Sequence, residues 1–459
     1  MTRELWIFRE RRPWPGIVAG ALLLCWPAAL NGYPLVFADT GNYLGQALEH
    51  FVGWNAPPFY SFFLLATDLR LTLWLPILAQ GLIAAHLIHL VLRQFGWRGS
   101  WPVLAACAVL AFGSSLPWVV SLLTTDVFTG LLVLTLWLLA FGTVGPWERR
   151  YLTLLAIGEV AVHLSHVPLS IGLTILATVL AAVRDDLRAG LRVFGRLAIA
   201  PAVAMVLLVS VNLVAHGIAS PAPYGSVVAA ARFIGDGTAR DYLRASCATQ
   251  HYRICPYLDQ LGPGGAVFEF QSPVLNAHLG GGKAWAPEAR RIVMGTLAYE
   301  PGAVTVAALR NFIRLFGHLW LGDPLTPWPG DPGPAPLIAR FFPHDLPEFQ
   351  ASEQEAGRLQ AEAARIAPVQ LVLAWSGMAA LVALVVLDRR NRLSWTLCVV
   401  VLAAVLGNAL ITAGLSGVED RYESRVAWLF FFAPATVLAS RALTGRLAAA
   451  LGMSGYGAA

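Results

Sequence analysis

The 459-residue chain has little charge. Only 13% of its residues are Asp, Glu, Lys or Arg, whereas soluble domains average about 25%. Hydrophobic residues make up 57%, and the mean hydropathy is +0.62. A soluble chain of this length would form roughly three domains and would need far more charged surface. The composition excludes an ordinary soluble enzyme and predicts that the apolar excess faces lipid.

The sequence also lacks the marks of a nucleic-acid-binding protein. Its net charge is +5 and its isoelectric point is near 9.1, but no basic stripe interleaved with aromatic residues occurs. The arginines lie between apolar runs, where they report membrane topology instead. No internal repeat stands out. We therefore expect membrane lipid, and no nucleic acid, among the partners.

Ten segments approach the roughly 20 apolar residues that a spanning helix needs. They are 16–37, 73–92, 101–119, 127–144, 151–164, 168–183, 193–214, 367–387, 395–414 and 426–443. The first follows a basic start without a small-residue cleavage site, so we interpret it as a retained helix. The fifth and sixth are short and are separated only by residues 165–167. They could form one kinked helix, but the arginines argue against that.

The positive-inside rule orients these spans. With the basic N-terminus in the cytoplasm, every second loop is rich in arginine. Those loops carry Arg93, Arg98, Arg149, Arg150, Arg184, Arg188, Arg192, Arg196, Arg389, Arg390, Arg392, Arg441 and Arg446. Merging the fifth and sixth spans would invert the pattern from Arg184 onward. The sequence therefore predicts an all-α polytopic protein of a bacterial inner membrane, with about ten spans and both termini in the cytoplasm.

Three regions follow from this topology. We expect an N-terminal transmembrane module at 1–214 with about seven spans and a first external loop at 38–72. A periplasmic loop domain rich in proline and glycine should occupy 215–366, and a module of about three spans should occupy 367–459. Within the loop domain, the apolar stretch 301–321 contains Arg310 and Arg314, which favours a helix lying in the membrane interface.

Cysteine is scarce, with five in the chain. Three lie in predicted spans as small apolar fillers: Cys25, Cys107 and Cys398. Cys247 and Cys255 form the only loop pair, and an oxidising periplasm favours a disulfide between them. Zinc would require further ligands at suitable spacing, and only His251 is nearby.

Acids and histidines at the external ends of spans are the candidate functional residues, because ionisable groups at membrane depth are costly. Asp39 follows the first span and precedes an amphipathic segment, 40–52. We interpret Asp39 as a general base, with a helix N-cap as the alternative. Asp126, at the start of the fourth span, is a second catalytic candidate with the same alternative.

His163 and His166 bracket the external turn between the fifth and sixth spans. Their three-residue spacing could place both on one helical face and in contact with substrate. A satisfied interfacial histidine is the alternative reading of each. Glu159, four residues before His163, is either its buried structural partner or part of a cavity floor.

The order of several motifs resembles the GT-C class of integral-membrane glycosyltransferases, which includes protein mannosyltransferases and the aminoarabinose transferase of lipid A. In that class an acid follows the first span, then an amphipathic helix with a tyrosine, then a Pro-Pro-aromatic segment. A second acid begins the fourth span, and an Arg-Tyr pair precedes the last span. The matching residues here are Asp39, Tyr43, Pro57-Pro58-Phe59-Tyr60, Thr124-Thr125-Asp126 and Arg421-Tyr422. Thr40 follows Asp39 where many members have a second acid, so a divalent metal is not supported.

The resemblance implies inverting transfer of a sugar from a polyprenyl-phosphate donor to a lipid, glycan or protein acceptor at the periplasmic face. Asp39 would be the base and Arg421 would bind the phosphate. Substrate contacts are expected from Asn42, Tyr43, Tyr60, His163, His166, Arg421 and Tyr422. The tyrosines could instead belong to the aromatic belt, and Arg421 could be an anchor within its acidic cluster.

Two other functions are compatible with the sequence. A flippase or transporter for a lipid-linked saccharide would favour polar midplane helices in repeated halves, which the chain lacks. A membrane acyltransferase would require an intramembrane histidine beside an acid, as His163 and Glu159 would provide.

Overall fold

The computed structural model describes residues 12–265, 268–269, 272–328 and 333–450. Regular structure within those ranges is helical, and no β-strand occurs there. The N-terminal part contains α1 (Trp14–Leu24), α2 (Trp26–Asn31), α3 (Ala38–Glu49), α4 (Phe59–Thr67), α5 (Trp74–Gln94), α6 (Ser100–Gly113), α7 (Leu116–Ser121), α8 (Val127–Phe141), α9 (Pro146–Ala161), α10 (His166–Arg184), α11 (Leu187–Leu197) and α12 (Ile199–His216). Arg3, Arg9 and Arg11 of the predicted basic N-terminus lie outside the described residues.

The second half continues with nine further α-helices among the described residues. They are α13 (Gly225–Gly235), α14 (Thr238–Gln250), α15 (Gly281–Tyr299), α16 (Pro301–Leu315), α17 (Ala335–Phe341), α18 (Leu346–Ala351), α19 (Leu359–Leu387), α20 (Arg392–Leu415) and α21 (Asp420–Ala450). Short turns of 3-10 helix (Cys255–Gln260, Asp323–Leu325) and one of π-helix (Val274–His278) complete the regular structure in this part.

Six of the described helices are long and apolar enough to cross a membrane, which indicates a membrane protein. They are α5, α10, α11 with α12, α19, α20 and α21 as far as Leu443. The pair α15 and α16, bent by 102° at Glu300, would make a seventh if it formed one span. The other predicted spans coincide with shorter helices: α1 with α2, α6, α8 and α9. A count of about ten therefore remains a prediction.

The first predicted span, 16–37, is not one helix. Helix α2 ends at Asn31, and Gly32 adopts a left-handed conformation with φ of 79°. Glycine adopts this conformation without strain, and Pro34 cannot donate a helical backbone hydrogen bond. The predicted span 101–119 is likewise broken between α6 and α7, where the Ser114 hydroxyl turns back to donate to Leu110 O at 2.7 Å.

The extended segment after α2 places two helix starts side by side. Leu35 forms an isolated parallel bridge with Leu122: Leu35 N donates to Ser121 O, and Leu123 N donates to Leu35 O, both at 2.9 Å. The Thr40 hydroxyl then donates to Leu123 O at 2.9 Å. Helices α3 and α8 therefore begin next to each other.

Helix α8 is the centre of the larger hydrophobic core, and every residue from Val127 to Ala140 is buried. Its neighbours include α5, α9, α10, α20 and α21. A separate smaller core joins α13, α14 and α15 around Ile234, Leu243 and Trp285. A disulfide between Cys247 and Cys255 lies at this second core.

The helix of the last module begins earlier than hydropathy indicates. We predicted a boundary at 366/367, but α19 starts at Leu359. Residues 359–366 are mostly good helix formers of mixed polarity, so they extend the helix without raising hydropathy. The preceding segment packs on the bundle, where the buried Gln354 side chain accepts from Val36 N at 3.1 Å and donates to Val36 O at 2.7 Å.

Candidate active site

A cavity of about 450 Å³ opens where the smaller core meets one end of the helical bundle. Side chains from both parts line it, and the ionisable ones are Asp39, His163, Arg232, Glu269, Glu419 and Arg421. Its volume lies in the range of roughly 300–1,000 Å³ that is common for small-molecule sites.

Asp39 and Arg421 form an ion pair at this cavity although 382 residues separate them. Asp39 lies in the first turn of α3, and Arg421 lies in the first turn of α21. The guanidinium also stacks on Phe37, 4.7 Å from the ring centre, and is 5.3 Å from the ring centre of Tyr422. These contacts hold Arg421 in place independently of Asp39.

Neither predicted acid caps its helix. Phe37 occupies the N-cap position of α3, and its backbone N–H donates to the Thr40 hydroxyl at 2.9 Å. Asp126 occupies the N-cap position of α8, but its side chain makes no capping hydrogen bond. The capping alternative is therefore wrong for both carboxylates.

The Asp126 side chain instead faces arginines. Its carboxylate lies 3.3 Å from Arg425 Nη1 and 4.0 Å from Arg421 Nη1, and it accepts from the Thr124 hydroxyl at 2.9 Å. Asp126 is buried beneath the cavity wall rather than in its lining. It can thus position Arg421 without touching the cavity contents.

Arg425 is a fully buried residue that sequence reasoning did not select. Its guanidinium donates to Asn408 Oδ1 at 2.7 Å and to the Ser165 hydroxyl at 3.2 Å. Asn408 in turn donates to Tyr422 O at 2.6 Å. The only signal in the sequence was an arginine four residues after Arg421, on the same helical face. The network ties α20, α21 and the start of α10 together.

The two histidine rings lie 5.2 Å apart, but only His163 belongs to the cavity lining. His163 lines the cavity, and its Nδ1 lies 2.7 Å from the Ser165 hydroxyl. His166 is buried in the bundle, where its Nε2 lies 2.7 Å from the Thr129 hydroxyl and its Nδ1 lies 2.5 Å from Glu159 O. The Glu159 carboxylate accepts from the Thr135 hydroxyl at 3.2 Å, and it forms no hydrogen bond or ion pair with His163, which is also among the described residues. His166 and Glu159 therefore lie outside the cavity lining.

Of the predicted tyrosines and Asn42, two residues line the cavity and two do not. Tyr43 and Tyr422 line the cavity, and the Tyr422 hydroxyl lies 2.9 Å from that of Ser416. Burial, with a smaller effect of the nearby Asp39 charge, raises the pKa of Tyr43. Tyr60 packs edge-on against Tyr43 at 4.9 Å and donates to Gln80 Oε1 at 2.7 Å, outside the lining. Asn42 lies beside Gly53, also outside the lining.

Two lining residues from the loop domain were missed. Arg232 belongs to the last turn of α13, and Glu269 follows it in the same domain. Burial, followed by the negative charge of Asp39, raises the pKa of Glu269 to about 7. Nothing in the local sequence marks either residue, since both face the cavity only after the domain packs on the bundle.

Among the described residues, no group of three or more His, Cys, Asp or Glu side chains is arranged to hold a metal ion. Both predicted catalytic acids are paired with arginines instead.

No protein family, no curated protein and no solved structure matches the chain.

Proposed function

We propose that this protein is an integral-membrane glycosyltransferase of the GT-C type. It moves a sugar from a polyprenyl-phosphate donor to an acceptor hydroxyl at the periplasmic face of a bacterial inner membrane. The observation that carries the proposal is the pairing of Asp39 and Arg421 at a cavity between the helical bundle and the loop domain.

The chemistry requires a base and a cation in one site. The acceptor hydroxyl oxygen forms a bond to the anomeric carbon, and its proton passes to the Asp39 carboxylate. The bond from the anomeric carbon to the phosphate oxygen breaks, and the polyprenyl phosphate leaves with the electron pair. Arg421 stabilises the negative charge on that leaving group. A single displacement of this kind inverts the anomeric configuration.

A phosphate entering beside Arg421 competes with Asp39 for the guanidinium and leaves that carboxylate facing the acceptor. Arg421 can change its anionic partner without moving far, because Phe37 and Tyr422 pack against its guanidinium. Asp126 then remains as its second negative neighbour, 4.0 Å away.

The location of the cavity suits an amphipathic donor. The cavity lies at the ends of α10, α20 and α21, three helices long enough to cross a membrane. A polyprenyl chain can therefore remain in the bilayer while its phosphate and sugar reach Asp39. In this proposal about ten spans cross the membrane, and both termini are cytoplasmic.

Sugar transfer by the purified full chain, measured with a panel of polyprenyl-phosphate sugars, tests the proposal. Asp39→Asn should lower kcat by about 100-fold or more, because general-base catalysis contributes about that much. Glu49→Gln is the matched control, since Glu49 is an exposed acid at the other end of α3. Transfer by Asp39→Asn at the wild-type rate would exclude Asp39 as the base.

A further inference from the structure

Arg232 is a buried arginine whose hydrogen-bonding capacity is largely unused. Its side chain is only 2% exposed, yet it lines the cavity. Two of its nitrogen atoms, Nε and Nη2, are buried without a hydrogen-bond partner. Leaving donors of a charged group unsatisfied is costly, so an anion that approaches the guanidinium from the cavity would offset part of that cost by its charge.

Among the described residues, the charged partner of Arg232 is Asp236, and it satisfies the guanidinium poorly. Asp236, one turn later on the same chain segment, places Oδ2 at 2.7 Å from Arg232 Nε, but the angles do not make a hydrogen bond. The other carboxylate oxygen of Asp236 accepts from Asn311 Nδ2 at 3.0 Å. Burial lowers the pKa of Arg232 despite the neighbouring Asp236. The cationic form is therefore incompletely compensated by the protein.

Arg232 and Arg421 line the same cavity from opposite parts of the molecule. Arg421 belongs to the bundle and is paired with Asp39, whereas Arg232 belongs to the loop domain. We propose that Arg232 binds a second anionic group, a phosphate or a carboxylate, distinct from the phosphate bound by Arg421. This rests on the proposed function in one respect: if Arg421 holds the donor phosphate, the second anion belongs to the acceptor. The acceptor class is then an acidic lipid or glycan.

Anion binding is measured by thermal unfolding of the detergent-solubilised full chain. Tm in inorganic phosphate is compared with Tm in chloride of equal ionic strength. A ligand that binds only the folded state raises Tm as its concentration exceeds Kd. Arg232→Gln should weaken the Kd for phosphate by about tenfold, the equivalent of one charge-assisted hydrogen bond. Arg232→Lys should retain part of the affinity.

Asp236→Asn provides a second test, because its expected result is tighter phosphate binding, which a misfolded protein would not show. Removing the competing carboxylate leaves Arg232 more available, so phosphate should bind more tightly even if Tm in chloride falls. Arg244→Gln is the matched control, since Arg244 is an exposed arginine of the same domain. A purely structural Arg232–Asp236 pair predicts an unchanged phosphate effect in all of these variants, and that result would overturn the proposal.

Competition with polyprenyl phosphate distinguishes a second anion bound by Arg232 from a single phosphate held by both arginines. With saturating polyprenyl phosphate, inorganic phosphate should still stabilise the wild type but not Arg232→Gln. Loss of all phosphate stabilisation in the wild type would mean that both arginines hold one phosphate, and the second-anion assignment would be wrong. Absence of sugar transfer alongside the expected phosphate results would remove the proposed enzyme activity and leave the Arg232 site standing.

Discussion

The charged residues at the cavity end of the bundle alternate in sign. Asp39 pairs with Arg421, Arg421 lies 4.0 Å from Asp126, and Asp126 pairs with Arg425. Two acids and two arginines thus compensate one another. Asp126 and Arg425 are both buried, so removal of either one leaves the buried charge of the other poorly compensated. Glu269 lies outside this series and adds a negative charge near Asp39.

Glu269 should therefore make stability depend on pH. Its pKa rises from an ordinary value near 4.5 to about 7 in the folded protein. At Glu269 the folded state then binds more protons than the unfolded state between these values, so the contribution of Glu269 to stability is greatest below about 4.5 and is lost as pH rises to about 7. The change is at most about 3.5 kcal/mol, because each pKa unit corresponds to about 1.4 kcal/mol.

Thermal unfolding of wild type and Glu269→Gln across this pH range measures the effect. The fall in Tm should be smaller in Glu269→Gln, since glutamine does not titrate. Asp259→Asn, an exposed acid in the same domain, should behave as wild type does. An identical pH profile for wild type and Glu269→Gln would contradict the assigned environment.

At the scale of elements, the close crossing of α8 and α21 positions both arginines. A Cβ atom at Gly130 would lie 2.6 Å from Trp428 Nε1 and 2.9 Å from two carbon atoms of that ring. The Trp428 indole is buried and donates to Arg425 O at 3.2 Å. The missing side chain at Gly130 therefore sets the distance of α21 from α8.

Gly130→Ala should destabilise the protein by about 1–3 kcal/mol, the usual cost of overpacking a core. It should also reduce sugar transfer, because moving Trp428 displaces Arg421 and Arg425 from the acids. Thermal unfolding and the transfer assay measure the two effects.

Gly158→Ala on α9 is the control, since a Cβ atom there meets no atom within 4 Å. It should be neutral or slightly stabilising, because alanine loses less backbone entropy on folding in a helix. Equal stability of the two variants would contradict the tight crossing.

At the scale of the whole molecule, the proposed topology of about ten spans predicts that the loop domain lies outside and the arginine-rich loops lie inside. Arg290→Cys on α15 and Arg150→Cys on α9 introduce exposed thiols into the two kinds of region. In intact cells, a membrane-impermeant maleimide should label Arg290→Cys, and it should label Arg150→Cys only after permeabilisation.

The parent chain is the control for this experiment, because Cys107 and Cys398 are buried, Cys25 is half-buried in a helical region, and the other two cysteines form a disulfide. Labelling of both variants in intact cells would place both regions on one face. That result would exclude the three spans predicted between Arg150 and Arg290, because an odd number of spans places the two residues on opposite faces.

Hydropathy located the long helices well. The predicted spans 73–92, 168–183, 367–387 and 395–414 coincide with α5, α10, α19 and α20. The method failed at 16–37, because an apolar segment can be extended as well as helical when glycine and proline interrupt it. Helix α8, at 15 residues, is shorter than the roughly 20 residues of a typical span, so the predicted span at 127–144 stays a prediction.

Composition and hydropathy were enough to predict a helical membrane protein, because both are properties of short segments. The chemistry and order of the motifs along the chain were enough to select Asp39, Asp126 and Arg421 as candidate site residues. The packing of distant segments was needed to bring Arg421 to Asp39, to bury Arg425 beside Asp126, and to add Arg232 and Glu269 from the loop domain. Packing also placed His166 in the bundle and Tyr60 behind Tyr43. Contacts between residues hundreds of positions apart depend on helix crossings such as that at Gly130, and no local pattern encodes those distances.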